Sequence, residues 1–527
     1  MRALPGAGTV TGATVLLTQN LRRDRIIAGV WLVAMAAMAA VSAYATPALV
    51  STTADVRRLA LELNDQPALR ALYGPILDPD SLGEVAMSKM TVLYALIAAI
   101  LFVVVVRRHT RIEEESGRAE LVASTVVGRD APLAAAVIEC VALAVALGLV
   151  VFAASAIGGL AVAGSAWFAA SWVGTAWVAT GIAAVAVQVS ASARTCGALC
   201  AAVLGGLYAI RAVGDGLELT WLSWCSPLGW NTQLSAWSDP RGLVLGLYVV
   251  AGALLILVAV VLRARRDLGG GLIAARPGRS SAAPWLRSAV GLAVRVHRTA
   301  FVLWAVAVTA GGLAFGAMAP GLDDLVSSVG GGQELIDRLG GAMIAAVLSI
   351  FAMAITFFGI AVIGSAGADE ASSHAELVLA TGVSRGRWFG ATAGLALLGS
   401  ALLVLLAGLG LTVGYALVGG GRPLTALAAS AGWAVAVATV QSVALLLWAL
   451  RARWSVAGWG VVGLCLADTL VGELLTLPTW VVNLSPYSLV PQYPAEEWRW
   501  GPLVVLAVVT AGLSVLAWFR FGRRDIG

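Results

Sequence analysis

Stretches of roughly 17 to 25 apolar residues recur along the whole chain, and each is long enough to cross about 30 Å of hydrocarbon as an α-helix. Read by apolar length, they fall near residues 26–45, 90–106, 132–155, 166–187, 196–214 and 242–262 in the first half. The second half gives 299–318, 343–364, 391–415, 425–449, 455–472 and 502–519. Hydrophobic residues make up 60% of the 527 and charged ones only 12%. A water-soluble globule of that make-up has too little polar surface to cover itself. The expected fold is therefore an all-α integral membrane protein of twelve transmembrane helices, with the lipid bilayer as its solvent.

Charge placement orients these spans. Arg22, Arg23 and Arg25 precede the first apolar run, and no small-residue cleavage site follows it, so it reads as a retained helix and not a signal peptide. Placing both termini in the cytoplasm puts 25 of the 34 Lys and Arg residues inside and 8 outside, the bias expected of a multi-pass protein of the bacterial cytoplasmic (inner) membrane. The net charge of +5 comes from basic residues at helix ends and not from one continuous stripe, which argues against a nucleic-acid partner. Five cysteines, mostly inside apolar runs, support neither a disulfide frame nor a zinc cluster. His109, His297 and His374 are far apart in sequence. Hence no histidine and acid cluster, no metal site and no catalytic residue is expected.

An internal repeat relates the two halves. Ala119-Glu120-Leu121-Val122 recurs as Ala375-Glu376-Leu377-Val378, with Ser116, Thr125 and Arg129 echoed by Ser372, Thr381 and Arg385. Arg25 and Trp31 are matched by Arg298 and Trp304, and Arg265-Arg266-Asp267 by Arg523-Arg524-Asp525. Trp221, Ser226-Pro227 and Gln233 correspond to Trp480, Ser485-Pro486 and Gln492. Six spans per half make the two six-helix repeats parallel, a pseudo-dimer about an axis along the membrane normal. The expected organisation is a first six-helix half at 1–262, a cytoplasmic linker with an interfacial helix at 263–298, and a second half at 299–527. Ahead of each half, Val10, Leu17 and Leu21, and likewise Leu286, Val290 and Val294, share one helical face. They suit short helices lying flat at the interface, although residues 1–20 also suit a polar tail.

The most informative polar stretches join spans 2 and 3 of the first half and spans 8 and 9, their counterparts in the second. They hold Glu113, Glu114, Glu115, Arg118, Glu120 and Arg129 in one half and Asp369, Glu370, His374, Glu376 and Arg385 in the other. Ser116 and Ser372, followed by Ala-Glu, look like N-caps of a short surface helix. Solvated loops would account for the charge, but not for the same acid cluster, cap and Leu-Val step in both halves. A paired docking helix does, and it implies a paired partner.

On these segments, the two Ser-Pro motifs and the duplicated twelve-span plan, the chain resembles the permeases of ATP-binding-cassette exporters. It is most similar to the actinobacterial polyketide-antibiotic (tetronasin-type) and multidrug efflux group, with a type V ABC exporter-like architecture. The resemblance spans essentially the whole length. It implies that each segment is a coupling helix seated in an ATPase cleft, the residues just named serving two sockets. Arg118 opposite His374 and Gly128 opposite Ser384 are departures that leave the sockets free to differ. A phosphate-binding Walker loop needs a lysine after its glycines, and the one lysine here is Lys89, in Ala86-Met87-Ser88-Lys89-Met90. No cofactor is expected in this chain. ATP and Mg belong to two copies, read as identical, of a separate cytoplasmic ATPase.

Two further groups of residues invite a role in transport. Trp221, Ser226, Pro227, Trp480, Ser485 and Pro486 lie in Trp- and Pro-rich segments. These suit either an interfacial loop with aromatic anchors or, by the resemblance, a re-entrant outer gate. Glu139 and Asp468 lie within apolar spans, where ionised groups are costly unless paired. With Trp172, Trp177 and Trp433 they could line a substrate path, against the alternative of ordinary helix packing. Arg211, four residues before Asp215, suits a structural ion pair. The expected function is export of a lipophilic small molecule by an ATP-driven complex. The alternative is a proton- or sodium-driven secondary drug transporter, which also favours twelve spans in parallel halves.

Overall fold

A computed structural model describes residues 8–49, 52–65, 67–273, 281–328, 333–417, 424–471 and 485–525. Among these residues the fold is helical, without a strand ladder. The chain forms two compact units, Met1–Gly278 and Arg279–Gly527. In the first, α1 (Ala13–Leu49) is followed by α2 (Thr53–Asp65), α3 (Pro67–Tyr73) and α4 (Leu82–Lys89). A wide π-turn, Met90–Tyr94, carries α4 into α5 (Ala95–His109). Two short helices follow, α6 (Arg111–Glu115) and α7 (Arg118–Ala123). The long helices α8 (Ala131–Ile157), α9 (Val162–Val189), α10 (Ala193–Gly216) and α13 (Leu243–Ala264) complete the unit, with α11 (Thr220–Trp224) and α12 (Trp230–Gln233) between the last two.

The second unit contains α14 (Ala289–Ser328), α15 (Gln333–Ala371), the short α16 (His374–Leu379), α17 (Arg385–Leu417), α18 (Leu424–Leu450), α19 (Ala457–Val471) and α20 (Trp500–Arg523). Eleven helical stretches among the described residues are long and apolar enough to cross a membrane. The span expected at 455–472 meets α19, which has 15 residues and ends where the described residues stop.

Helix α9 is the centre of the first unit. It packs against α5, α8, α10 and α13, and its Phe168, Trp172 and Val187 lie in the main core. Helix α18 holds the same place in the second, where Trp433 and Trp448 are buried among α15, α17 and α20. Small residues set the tightest approach, between α14 and α17. A side chain added at Gly410 would meet the Thr309 carbonyl at 2.3 Å, and one at Gly414 the Leu313 carbonyl at 2.1 Å. This close backbone contact is how apolar helices gain dispersion energy where no water is expelled.

The expected flat-lying helices ahead of spans 1 and 7 are not separate α-helices, although Leu286 sits in a short 3-10 turn, Pro284–Arg287, that precedes α14. In the first unit α1 runs unbroken from Ala13 to Leu49, and in the second α14 begins at Ala289 and carries straight on. No proline interrupts either junction, so the backbone has no reason to break there. At 37 residues and 1.5 Å per residue, α1 is longer than a bilayer core requires.

Candidate functional site

The two polar segments of the sequence become short helices on sharp turns. After α6 the backbone turns through Gly117 at φ 75° and starts α7. In the second unit Ser373, at φ 60°, plays the same part between α15 and α16. The expected caps at Ser116 and Ser372 do not form. The Ser116 hydroxyl donates to the Glu113 carbonyl at 3.2 Å, and that of Ser372 to the Ala368 carbonyl at 2.8 Å. Both serines close the preceding helix, and the left-handed residue after it opens the next.

The structure divides the named charged residues into an outer and an inner set. Arg118, Glu120, His374 and Glu376 are exposed, and so are the apolar neighbours Leu121 at 72% and Leu377 at 70%. Each short helix therefore presents an acid and an uncovered leucine at matching positions.

The inner set holds the helix in place. Glu114 accepts from Arg266 Nη2 at 2.7 Å and Arg266 Nη1 at 2.8 Å, and from Arg111 Nη1 at 2.8 Å. Arg266 Nε also donates to Gln188 Oε1 at 2.7 Å, joining the segment to the end of α9. Arg129 donates to the carbonyls of Arg263 and Arg266 at 2.8 and 2.7 Å. Glu113 pairs with Arg23 Nη2 at 2.7 Å, and Glu115 accepts from the Ala193 amide at 2.6 Å. In the second unit Glu370 pairs with Arg524 and accepts from the Trp448 indole at 3.1 Å. Arg385 donates to the Arg524 carbonyl at 2.8 Å. Asp369 is exposed, 4.0 Å from His374.

Glu114 with Arg266 and Arg129, and Glu370 with Arg524 and Arg385, occupy repeat-equivalent positions and make equivalent contacts. Ion pairs this well buried are retained only when further hydrogen bonds satisfy them, and removing one partner leaves a costly lone charge. Arg266 and Arg524 were signalled in the sequence by the repeated Arg-Arg-Asp. That echo marked the repeat without showing what the arginines hold.

The Trp- and Pro-rich segment of the first unit folds back among the helices. Ser226, Asn231 and Gln233 are buried, while Trp221 stays 66% exposed. Asn231 Oδ1 accepts from the Thr175 hydroxyl on α9 at 3.0 Å, and the single hydroxyl hydrogen of Tyr248 on α13 is shared between Asn231 Oδ1 at 2.6 Å and the Pro227 carbonyl at 3.0 Å. In the second unit Ser485 is buried, Pro486 partly so, and Tyr487 meets Thr356 through hydroxyl oxygens 2.6 Å apart. Burial pushes the Tyr487 phenol above its ordinary pKa, against the effect of the Thr356 hydrogen bond. Trp480 lies outside the described residues.

Trp172 and Trp433 are core residues of their own units, each 1% exposed, and Trp177 donates to the Val249 carbonyl at 3.4 Å. The side chain of Asp468 lies outside the described residues. Arg211 and Asp215 form the expected buried pair at 2.9 Å, extended by the Ser223 hydroxyl to Asp215 at 2.5 Å. Glu139 is not alone. Against the expectation of no histidine and acid cluster, it meets His109 and Asp24, all three buried. The helix contacts of α1 with α5 and α8 bring together residues that are remote in sequence.

Comparison with known proteins decides the family. The profile described as "Multidrug efflux system permease Rv1217c, C-terminal domain" matches residues 15–263 and 286–522. This chain belongs to that permease family. The multidrug efflux system permease protein Rv1217c of Mycobacterium tuberculosis is 36% identical over 526 residues, covering 98% of this chain and 95% of that protein. Membership of the Rv1217c family, together with the eleven apolar helices, makes this a multi-pass membrane protein of the permease type.

Proposed function

We propose that this chain is the permease subunit of an ATP-driven ABC exporter of lipophilic compounds, ATP being hydrolysed with Mg on two copies of a separate cytoplasmic ATPase. Twelve transmembrane helices would form two parallel six-helix repeats in the bacterial inner membrane, with both termini in the cytoplasm. The relative's name, a multidrug efflux permease, supports the class of cargo. The Ala-Glu-Leu-Val and Arg-Arg-Asp echoes between the halves support the repeat.

The observation that carries the ABC reading is the pair α7 and α16. Each displays an exposed leucine and glutamate, and each is backed by a glutamate–arginine pair, buried in the first unit and part-buried in the second, that lets a push on the helix reach the end of the unit's last long helix. A solvated loop has no need of such backing. Purification of the permease with candidate ATPases tests this reading: a stable complex whose ATP hydrolysis rises with drug supports it. Efflux that persists after ATP depletion and collapses with an uncoupler would instead favour a proton- or sodium-driven carrier.

A further inference from the structure

Asp24 on α1, His109 at the end of α5 and Glu139 on α8 turn their side chains toward one another at a point where three helices meet. Their side chains are 2%, 2% and 0% exposed. His109 Nε2 stands 2.8 Å from Asp24 Oδ2 and 3.6 Å from Glu139 Oε2, and one ligand atom from each residue lies within 4.8 Å of the others. Arg108 Nε, on a side chain 36% exposed, stands 3.1 Å from the other Asp24 oxygen as an ion pair without completing a hydrogen bond to it, and Asp24 Oδ2 faces the imidazole. Neither Glu139 oxygen completes a hydrogen bond, although the Asn20 side chain stands within electrostatic reach.

This arrangement is poorly served by the protein's own atoms. Two carboxylates converge on a single ring nitrogen, which can satisfy one of them through one proton. His109 Nδ1 has no partner, so the ring proton belongs on Nε2 facing Asp24, and a metal ion would take that proton's place. Asp24 has the Arg108 guanidinium beside it, but the buried Glu139 carboxyl has no hydrogen-bond partner, and an ion so placed is costly unless neutralised. A divalent cation would supply that neutralisation and could bond all three atoms at about 2.0–2.2 Å after small shifts. One imidazole and two carboxylates form a ligand set of borderline softness that suits zinc and its first-row neighbours.

The sequence repeat adds an independent point. The positions matching Asp24, His109 and Glu139 in the second half are His297, Ser365 and Leu395. There the His297 ring nitrogen and the Ser365 hydroxyl meet at 3.2 Å. The same helix junction is thus built without a pair of buried carboxylates, so the cluster is not a requirement of the architecture.

We propose that Asp24, His109 and Glu139 bind one divalent transition-metal ion of the zinc type, with the Asn20 amide at hand as a further ligand. The ion ties α1 to α5 and α8 beside the segment that leads into α7. The test uses the full-length protein, purified in detergent with a tag free of histidine, stripped with a chelator and titrated with cobalt(II). The expected result is a visible absorption band saturating at one equivalent and displaced by zinc. Glu139→Gln and His109→Gln should weaken binding more than about tenfold. Should either variant fail to fold, Glu139→His keeps a donor and should retain binding with an altered band.

A wild-type protein with no cobalt band, or binding unchanged in Glu139→Gln, overturns the proposal. So does an infrared band of a protonated carboxylic acid, absent in Glu139→Gln, that persists at neutral pH under saturating cobalt, since the occupant would then be a proton. None of these outcomes bears on whether an ATPase co-purifies, so this inference and the exporter reading can fail separately.

Discussion

At the scale of single residues, neighbouring acids of one segment do different work. Glu114 is closed in by Arg266 and Arg111, whereas Glu120, six residues on, faces solvent. Glu114→Ala strands the Arg266 and Arg111 charges and should cost about 3 kcal/mol. Thermal unfolding in detergent, followed by tryptophan fluorescence, should show a clear fall in midpoint, while Glu120→Ala leaves the midpoint unchanged. Gly128 is a second sensitive position, because a side chain there would meet the Thr9 carbonyl at 2.3 Å. The Gly128 amide donates to the Thr11 carbonyl at 2.9 Å, and the Asp130 amide to the Thr9 carbonyl at 2.8 Å, so this turn secures the start of α1. Gly128→Val should therefore release the start of α1, seen as faster limited proteolysis near Thr9–Thr14. Ser384, at the matching position, already carries a side chain whose hydroxyl accepts from the Arg387 amide at 3.4 Å at the start of α17, so Ser384→Val should cost only a lost cap, about 1 kcal/mol.

At the scale of elements, α7 and α16 are too short to be stable alone and depend on what holds them. Their exposed leucines are the apolar surface a partner would cover, and burying each is worth about 2 kcal/mol. Leu121→Asp with Leu377→Asp should therefore abolish ATPase co-purification while leaving the thermal midpoint intact. The long helices were legible in the sequence because apolar length alone sets a membrane span, and the short ones because Ala-Glu-Leu-Val occurs twice. Which of Glu113, Glu114 and Glu115 turns inward was not legible. Three consecutive glutamates look alike, and Arg266, which settles the matter, is 152 residues away. The expected serine caps fail for a local reason, since a serine before Ala-Glu also fits the end of the preceding turn. Asp24 and His109, 85 residues apart, carried no spacing signal at all.

At the scale of the molecule, two units carry the same clamped short helix, Glu114 with Arg266 in one and Glu370 with Arg524 in the other. A partner that reads one should read both, so native mass spectrometry of the purified complex should find two copies of one ATPase per permease. Two different ATPases, or a single copy, would remove that inference. The central claim is that a motor outside this polypeptide drives transport by pushing on α7 and α16. Its most direct measurement is drug-stimulated ATP hydrolysis by the reconstituted complex, comparing wild type with the Glu120→Arg, Glu376→Arg double variant. The account predicts that the variant folds normally and loses the drug stimulation. Full stimulation in the double variant would contradict it.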